Sequence, residues 1–332
     1  MDQSISWREL LGRSIGDVHE RQRIATALGI NPATLTRWAA NETNPRPQNL
    51  RELLRALPLQ RKELLQLIQL EFPEFEADSK ILDQEDSLTT IPAAFYSSVL
   101  DSFITTRRSQ RFWTVCNLVL NQALGQLDPN SLGMAITVAQ CMPPLHDGKV
   151  RSMREVTGRG TPPWQFTLTR EALFLGIESL AGYAITKGRT FTVENRLNRL
   201  GFYPVRWEQW EESAVVTPIW FEYRIAGCLV VSSTQANYFL PFRQNLIEQY
   251  AKLMTLAFEP EDFYEQQDIQ LMIMPEREVQ QTKVANFRQR LSTVLLEVGR
   301  NQQTIDIEQS ELLVWQQLEE EFLELLVQTA SE

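Results

Sequence analysis

Between residues 21 and 40 the apolar positions fall at the spacing of two short helices separated by a tight turn. Ile24, Ala25 and Leu28 share one face of the first helix, Leu35 and Trp38 share one face of the second, and Gly29 lies between them. Such a pair has to cross at a fixed angle. Ala25 is small enough to allow close approach, Gly29 supplies the positive φ of a sharp turn, and Ile30 fills the crevice beneath it. Asn31 is placed to cap the second helix and Pro32 suits its first turn. The pattern then lapses: Glu74, Glu76, Asp78, Asp83, Glu85 and Asp86 accumulate over residues 73–90 without a sustained apolar stripe, which predicts a solvated linker or a loose helix. Ile91, Phe95, Val99, Leu100 and Phe103 restore helical spacing and predict a rigid connecting helix over 91–106.

From there the period changes back and forth. Phe112, Val115, Leu118, Val119, Ala123 and Leu127 outline an amphipathic helix, followed by apolar strands at 134–142 and 150–156. Gly158, Gly160, Pro162 and Pro163 predict a loop. A helix is expected over 170–187, a short strand over 190–193, longer strands over 214–223 and 225–232, and a helix over 241–258. This is an α+β order, with helices collected against an antiparallel sheet. The last 70 residues read as two amphipathic helices, one marked by Val279, Val284, Phe287, Leu291, Val294, Leu295 and Val298, the other by Leu312, Leu313, Trp315, Leu318, Phe322, Leu325 and Leu326. Their broad apolar faces need cover, and an antiparallel hairpin on the same chain and a seam with a second subunit satisfy that equally. Glu319 to Glu321 and Glu324 are expected on the solvated side.

Residues 21–40 closely resemble the Cro and phage-repressor (XRE) helix-turn-helix family. The resemblance is carried by Ala25, Gly29, Leu35, Trp38, the later Asn44-Pro-Arg-Pro47, and Leu50-Arg-Glu-Leu-Leu54 as a fourth helix. It implies an all-α five-helix domain over residues 1–72 that binds double-stranded DNA as a homodimer. It also implies that Asn31, Pro32, Ala33, Thr34 and Arg37 lie along the groove-reading helix, while Arg21, Thr43, Asn44 and Arg46 approach phosphates. The side-chain chemistry agrees in part: Arg37 suits a bidentate pair with guanine, and loop arginines neutralise backbone charge. Pro32 and Ala33 offer only ring or methyl contacts where the family often carries Gln or Ser. A helical adaptor that keeps the fold without touching DNA is the alternative.

Charge separates these readings only slightly. Residues 1–70 carry a balance of +3 within a chain of −10, leaving −13 for the rest, so a mildly basic module precedes an acidic body. Local DNA contact fits this distribution, with the acidic body repelled from the duplex. A single module makes few phosphate contacts, so two copies on half-sites about one helical turn apart are expected.

The region 107–260 resembles a GAF domain, a PAS-related small-molecule sensing fold. The likeness rests on Gly176-Ile-Glu-Ser-Leu-Ala-Gly-Tyr-Ala-Ile-Thr-Lys-Gly-Arg-Thr-Phe-Thr-Val193, and on Ser213-Ala-Val-Val-Thr-Pro-Ile with Arg224-Ile-Ala-Gly-Cys-Leu-Val-Val231. Gly182 is expected to allow close helix-to-sheet approach, Gly188 to end its helix, and Gly227 to relieve crowding in its strand. The resemblance implies a ligand bordered by Trp164, Phe166, Phe174, Tyr183, Phe191 and Trp220, with Arg154 and Arg189 as anion anchors. Plain core packing accounts for the same aromatics. The family's cyclic-nucleotide signature is not reproduced, since Ser232, Ser233 and Thr234 occupy that strand end and Arg243 follows Phe242.

Size and composition bound the remainder. With 332 residues of which 43% are apolar, the chain has material for two cores. The full layout is therefore multidomain: an all-α domain over 1–72, an acidic linker and connecting helix over 73–106, an α+β unit with an antiparallel sheet over 107–260, and a C-terminal helical hairpin over 261–332. No leader peptide or membrane span is expected. Cys116, Cys141 and Cys228 are widely spaced in apolar segments, which predicts free buried thiols in a reducing cytoplasm. Cys141 and His146 lack further ligands for a metal, and neither His19 nor His146 adjoins a Cys as bilin attachment in this family requires. The sequence holds no P-loop, dinucleotide turn or nucleophile elbow. Neither catalysis nor a cofactor is expected; a thiol enzyme using Cys141 and Cys228 is the minor alternative.

Overall fold

Helix boundaries in the first 72 residues follow from local chemistry. The Ser6 hydroxyl accepts from the Glu9 amide to open α1 (Trp7–Ser14), and the Asp17 carboxylate accepts from the His19 and Glu20 amides to open α2 (Val18–Leu28). Gly29 ends α2 in the left-handed region at φ 63°, where the Ile30 amide reaches back to the Ala25 carbonyl. Asn31 accepts from the Ala33 amide and Pro32 begins α3 (Pro32–Ala39), so the expected cap and first turn are both present. Asn41, also left-handed, closes α3 as the Glu42 amide bonds the Arg37 carbonyl. Pro47 starts α4 (Pro47–Ala56), and α5 spans Arg61–Glu71. Trp7, Leu11, Ile24, Leu35, Leu53, Leu64 and Ile68 meet in one core.

The computed structural model describes residues 6–57, 61–73, 75, 90–168, 173–196, 209–300 and 307–329. It divides into two units between Thr90 and Ile91. Most of the expected acidic linker lies outside the described residues. Helix α6 (Ala93–Thr105), expected as a connector, belongs to the second unit, with Phe95 and Val99 in that unit's core.

The second unit is built on an antiparallel sheet of order β3-β2-β1-β6-β5-β4. Its strands are β1 (Met134–Cys141), β2 (Met153–Gly160), β3 (Phe174–Leu175), β4 (Phe191–Val193), β5 (Ser213–Phe221) and β6 (Arg224–Ser233), with β7 (Tyr264–Glu265) paired to part of β6. Helices α6, α7 (Arg108–Leu127) and α9 (Pro241–Met254) cover one face, against Ile136, Val138, Val215 and Val231. Helix α8 (Leu180–Lys187) covers the other, against Ala139, Met153, Val216 and Cys228. Alternate residues of β5 thus feed two cores, which is why its sequence reads as a continuous apolar run.

Three expectations are corrected. Gly158 and Gly160, read as loop, lie within β2; a Cβ on Gly158 would sit 2.8 Å from the Ile136 carbonyl oxygen and one on Gly160 would sit 2.8 Å from that of Gln165. Glycine serves close backbone approach here, not a turn. The helix expected from residue 170 begins only at Leu180, preceded by β3; residues 169–172 lie outside the described set. Gly182 does permit a close approach, yet its neighbour is the Gly176 carbonyl, 2.0 Å from where a Cβ would stand, and not the sheet.

The carboxy-terminal helices α10 (Arg277–Val284), α11 (Phe287–Arg300) and α12 (Ile307–Thr329) belong to the second unit. Val294, Val314, Leu318 and Phe322 pack with Met142, Phe174 and Met274, and the Phe287 and Trp315 rings stack with centroids 4.2 Å apart. The hairpin on the same chain is therefore formed. Gln280 fixes it by accepting from the Phe174 amide and donating to the Phe174 carbonyl. Glu319, expected on the solvated side, is fully buried, and accepts a 2.6 Å bond from the Ser152 hydroxyl.

Candidate nucleic-acid interface

In the first unit, α3 is fastened by its buried side and open on the other. Leu35 and Trp38 lie in the core, whereas Asn31, Ala33 and Arg37 are exposed and Pro32 and Thr34 are half-buried. Arg37 makes only a long contact, 3.4 Å, to the Thr34 hydroxyl, so its guanidinium is available to a partner. Thr43, Asn44 and Arg46 are exposed in the segment joining α3 to α4, and Arg21 is half-buried on α2.

One residue that the sequence reading passed over organises this region. Arg8 on α1 is 6% exposed, and its guanidinium has a partner for every donor. Nη1 donates to the Trp38 carbonyl at 2.7 Å and the Thr43 carbonyl at 3.4 Å, Nη2 to Asn44 Oδ1 at 2.7 Å and Glu71 Oε1 at 2.6 Å, and Nε to Glu71 Oε2 at 3.3 Å. Trp7 Nε1 donates to the same carboxylate. These bonds hold the Glu71 carboxyl below the usual carboxylate range, the Arg8 bond being the largest cause. The available signal was spacing: Arg8, Leu11 and Ile15 share a helical face, so a cation stands on an otherwise apolar stripe.

The eight residues expected around a ligand divide among three places in the second unit. Phe191 and Trp220 border the core beneath α8, and Tyr183, on α8 itself, meets the Phe191 ring edge to face at 4.7 Å; Arg189 is exposed after the end of α8. Phe174 and Arg154 lie under α12, with the Arg154 guanidinium 4.4 Å from the centre of the Trp315 ring and Phe174 between Trp315 and Phe322. Burial lowers the Arg154 pKa to about 10, which leaves it cationic at neutral pH. Trp164 is buried against Trp210, while Phe166 is exposed with the Arg159 guanidinium 5.5 Å above it.

Two open clefts occur elsewhere, of about 700 Å³ beside Thr186, Tyr223 and Gln266 and about 490 Å³ beside Arg108, Glu259 and Glu308. All three cysteines are free and buried. Burial pushes the Cys141 thiol up to about 12 and that of Cys228 well above its ordinary value. His146 is exposed, and among the described residues no group of three or more His, Cys, Asp and Glu is arranged to hold a metal. Nor is any described helix long and apolar enough to cross a membrane.

Residues 6–64 match the family model described as helix-turn-helix. This segment is a helix-turn-helix domain. The match takes in α1 to α4 and the start of α5, and it ends before Glu71. A comparison with curated proteins gives no match. Among solved structures, the chain is similar to a type II free methionine-R-sulfoxide reductase from Thermoplasma acidophilum, at 10% identity over 44% of this chain and 94% of that one, with a TM-score of 0.35. It is also similar to the GAF domain of an Acinetobacter phosphoenolpyruvate-protein phosphotransferase, at 14% identity over 52% and 91% of the two chains with a TM-score of 0.36. A free methionine-R-sulfoxide reductase from Neisseria meningitidis is similar at 15% identity over 46% and 85%, with a TM-score of 0.31.

Proposed function

We propose that the protein is a cytoplasmic, homodimeric transcription regulator whose helix-turn-helix domain reads a double-stranded DNA site. The observation that carries this reading is the two-sidedness of α3: Leu35 and Trp38 anchor it, and Asn31, Ala33 and Arg37 stand exposed on the side that would enter a major groove. The mildly basic balance of the first 70 residues supports it. In this reading Arg37 pairs with a base edge, and Thr43, Asn44 and Arg46 meet phosphates.

The second unit acts as a GAF-like module that biases the dimer between arrangements which do and do not match successive major grooves. It does so through unequal affinity of a small molecule or a partner for those arrangements. The antiparallel sheet with helices on both faces supports the GAF-like reading. A ligand-free docking or dimerisation module is favoured by one observation: the eight expected ligand neighbours are split among the α8 core, the α12 contact and the Trp164 region. Mass spectrometry of the native protein from its own host separates the two, a retained small molecule supporting sensing and a clean apo dimer supporting docking. The reading is non-enzymatic, because a nucleophilic thiolate needs exposure and a lowered pKa, and burial raises both Cys141 and Cys228.

Selection from a random duplex library tests the DNA reading. A defined sequence should be enriched, and Arg37→Ala should lose about 1 to 3 kcal/mol of binding to it. Arg46→Ala should instead make affinity less salt-sensitive at every sequence. Enrichment no better than random competitor ends the regulator account.

A further inference from the structure

Affinity for DNA rests largely on phosphate contacts, and those contacts require groups presented in a fixed geometry. Within the α3–α4 segment Pro45 is buried, while Thr43, Asn44 and Arg46 around it are all exposed. The polar hold on it comes from beneath. Arg8 binds the Trp38 carbonyl at the end of α3, the Thr43 carbonyl and the Asn44 side chain in the segment, and Glu71 at the end of α5. A buried guanidinium that loses its counter-charge is strongly destabilising, and here Glu71 supplies that charge.

We propose that Arg8 and Glu71 together form a brace that positions the Thr43–Arg46 segment for phosphate contact, so that the last residue of α5 helps set DNA affinity without touching DNA. This rests on the reading that the segment meets phosphates. Arg8 is a positioning residue. Its planar fork spans three parts of the bundle at once, which a lysine with three donors on one nitrogen does not reproduce. Glu71 lies beyond the matched helix-turn-helix segment and directly before the residues that lead to the second unit. A change that draws Glu71 away would strip Arg8 of its counter-charge, and the segment would lose its support.

The test uses the full chain and a random-sequence duplex, since phosphate contact is indifferent to sequence. Binding by fluorescence anisotropy is followed between about 50 and 200 mM salt for the native protein, Glu71→Gln, Arg8→Lys and Arg46→Ala. Glu71→Gln and Arg8→Lys should each weaken binding about tenfold at the lower salt and make the log affinity against log salt slope shallower by about one, as Arg46→Ala does. Adding Arg8→Lys to Arg46→Ala should not reduce the slope further. A purely structural role would lower thermal stability yet leave the slope intact, because the molecules still folded would make the same contacts. Should Arg8→Lys fail to fold, Glu71→Gln decides, its carboxylate being 36% exposed; amide exchange over residues 41–44 should then be faster than in the native protein. Folded variants with native slope and native exchange overturn the brace. A native chain that binds no duplex at any salt overturns the DNA reading first and the brace with it.

Discussion

Among the buried ionisable residues, Arg8 and Glu319 differ most in how they are compensated. Arg8 is fully matched. Glu319 is not: Ser152 donates to Oε1, while Oε2 is buried with no hydrogen-bond partner among the described residues, and neither Cys141 nor Glu320 nearby offers a positive charge. Burial, only partly offset by the serine, raises its pKa to about 7 from 4.5. Between those values the folded unit keeps a proton that the unfolded chain has released. The stability from this site is therefore full below about 4.5, falls as pH rises to about 7, and is flat above that. Glu319→Gln keeps an acceptor for Ser152 and removes the titration. Its stability advantage over the native protein should grow from near zero at the acid end to about 3 kcal/mol at neutrality, measured by denaturant unfolding across pH. A gap that does not change with pH contradicts the assignment. Composition points to neither residue; Arg8 is detectable from its stripe, whereas Glu319 sits in an acidic run that reads as solvent-facing.

At the scale of elements, turn and cap chemistry made the first unit readable, and two-sided burial obscured the second. Gly29, Asn31 and Pro32 act through their own backbone, so their roles follow from residue type and order. The strands of the second unit contribute to cores on both faces, which erases the alternation that identifies a half-buried strand. Strand β3, two residues long, offers no period at all, and the glycines of β2 mimic a turn. Of the expected DNA contacts, the exposed side of α3 was readable from helical spacing, whereas the brace from Glu71 depends on a contact 63 residues away in sequence. Glycine in this unit thus has two opposite values. Gly182→Ala places a Cβ 2.0 Å from a backbone oxygen and should cost at least about 1 to 3 kcal/mol. Gly125→Ala, on an open side of α7 with nothing within 4 Å, should instead stabilise by about 0.5 to 1 kcal/mol. Paired thermal melts distinguish the two, and equal signs refute the packing argument.

For the whole molecule, two units imply two unfolding events. The helix-turn-helix core and the sheet-bearing core are separate clusters, divided between Thr90 and Ile91. Calorimetry of the full chain should resolve two transitions, and residues 1–90 made alone should melt with one of them. A single transition showing equal calorimetric and van't Hoff enthalpies contradicts this independence. The two units also differ in when they can be completed. The Ser152 to Glu319 bond spans 167 positions, and Phe174 is covered by Trp315 and Phe322. As the polypeptide leaves the ribosome, the helix-turn-helix bundle has all its parts once Phe75 has emerged, while the sheet waits with its β3 edge uncovered until Phe322 has emerged. Premature termination before α12 would therefore release a species with a complete helix-turn-helix bundle and a sticky, unfinished body, a combination prone to aggregation.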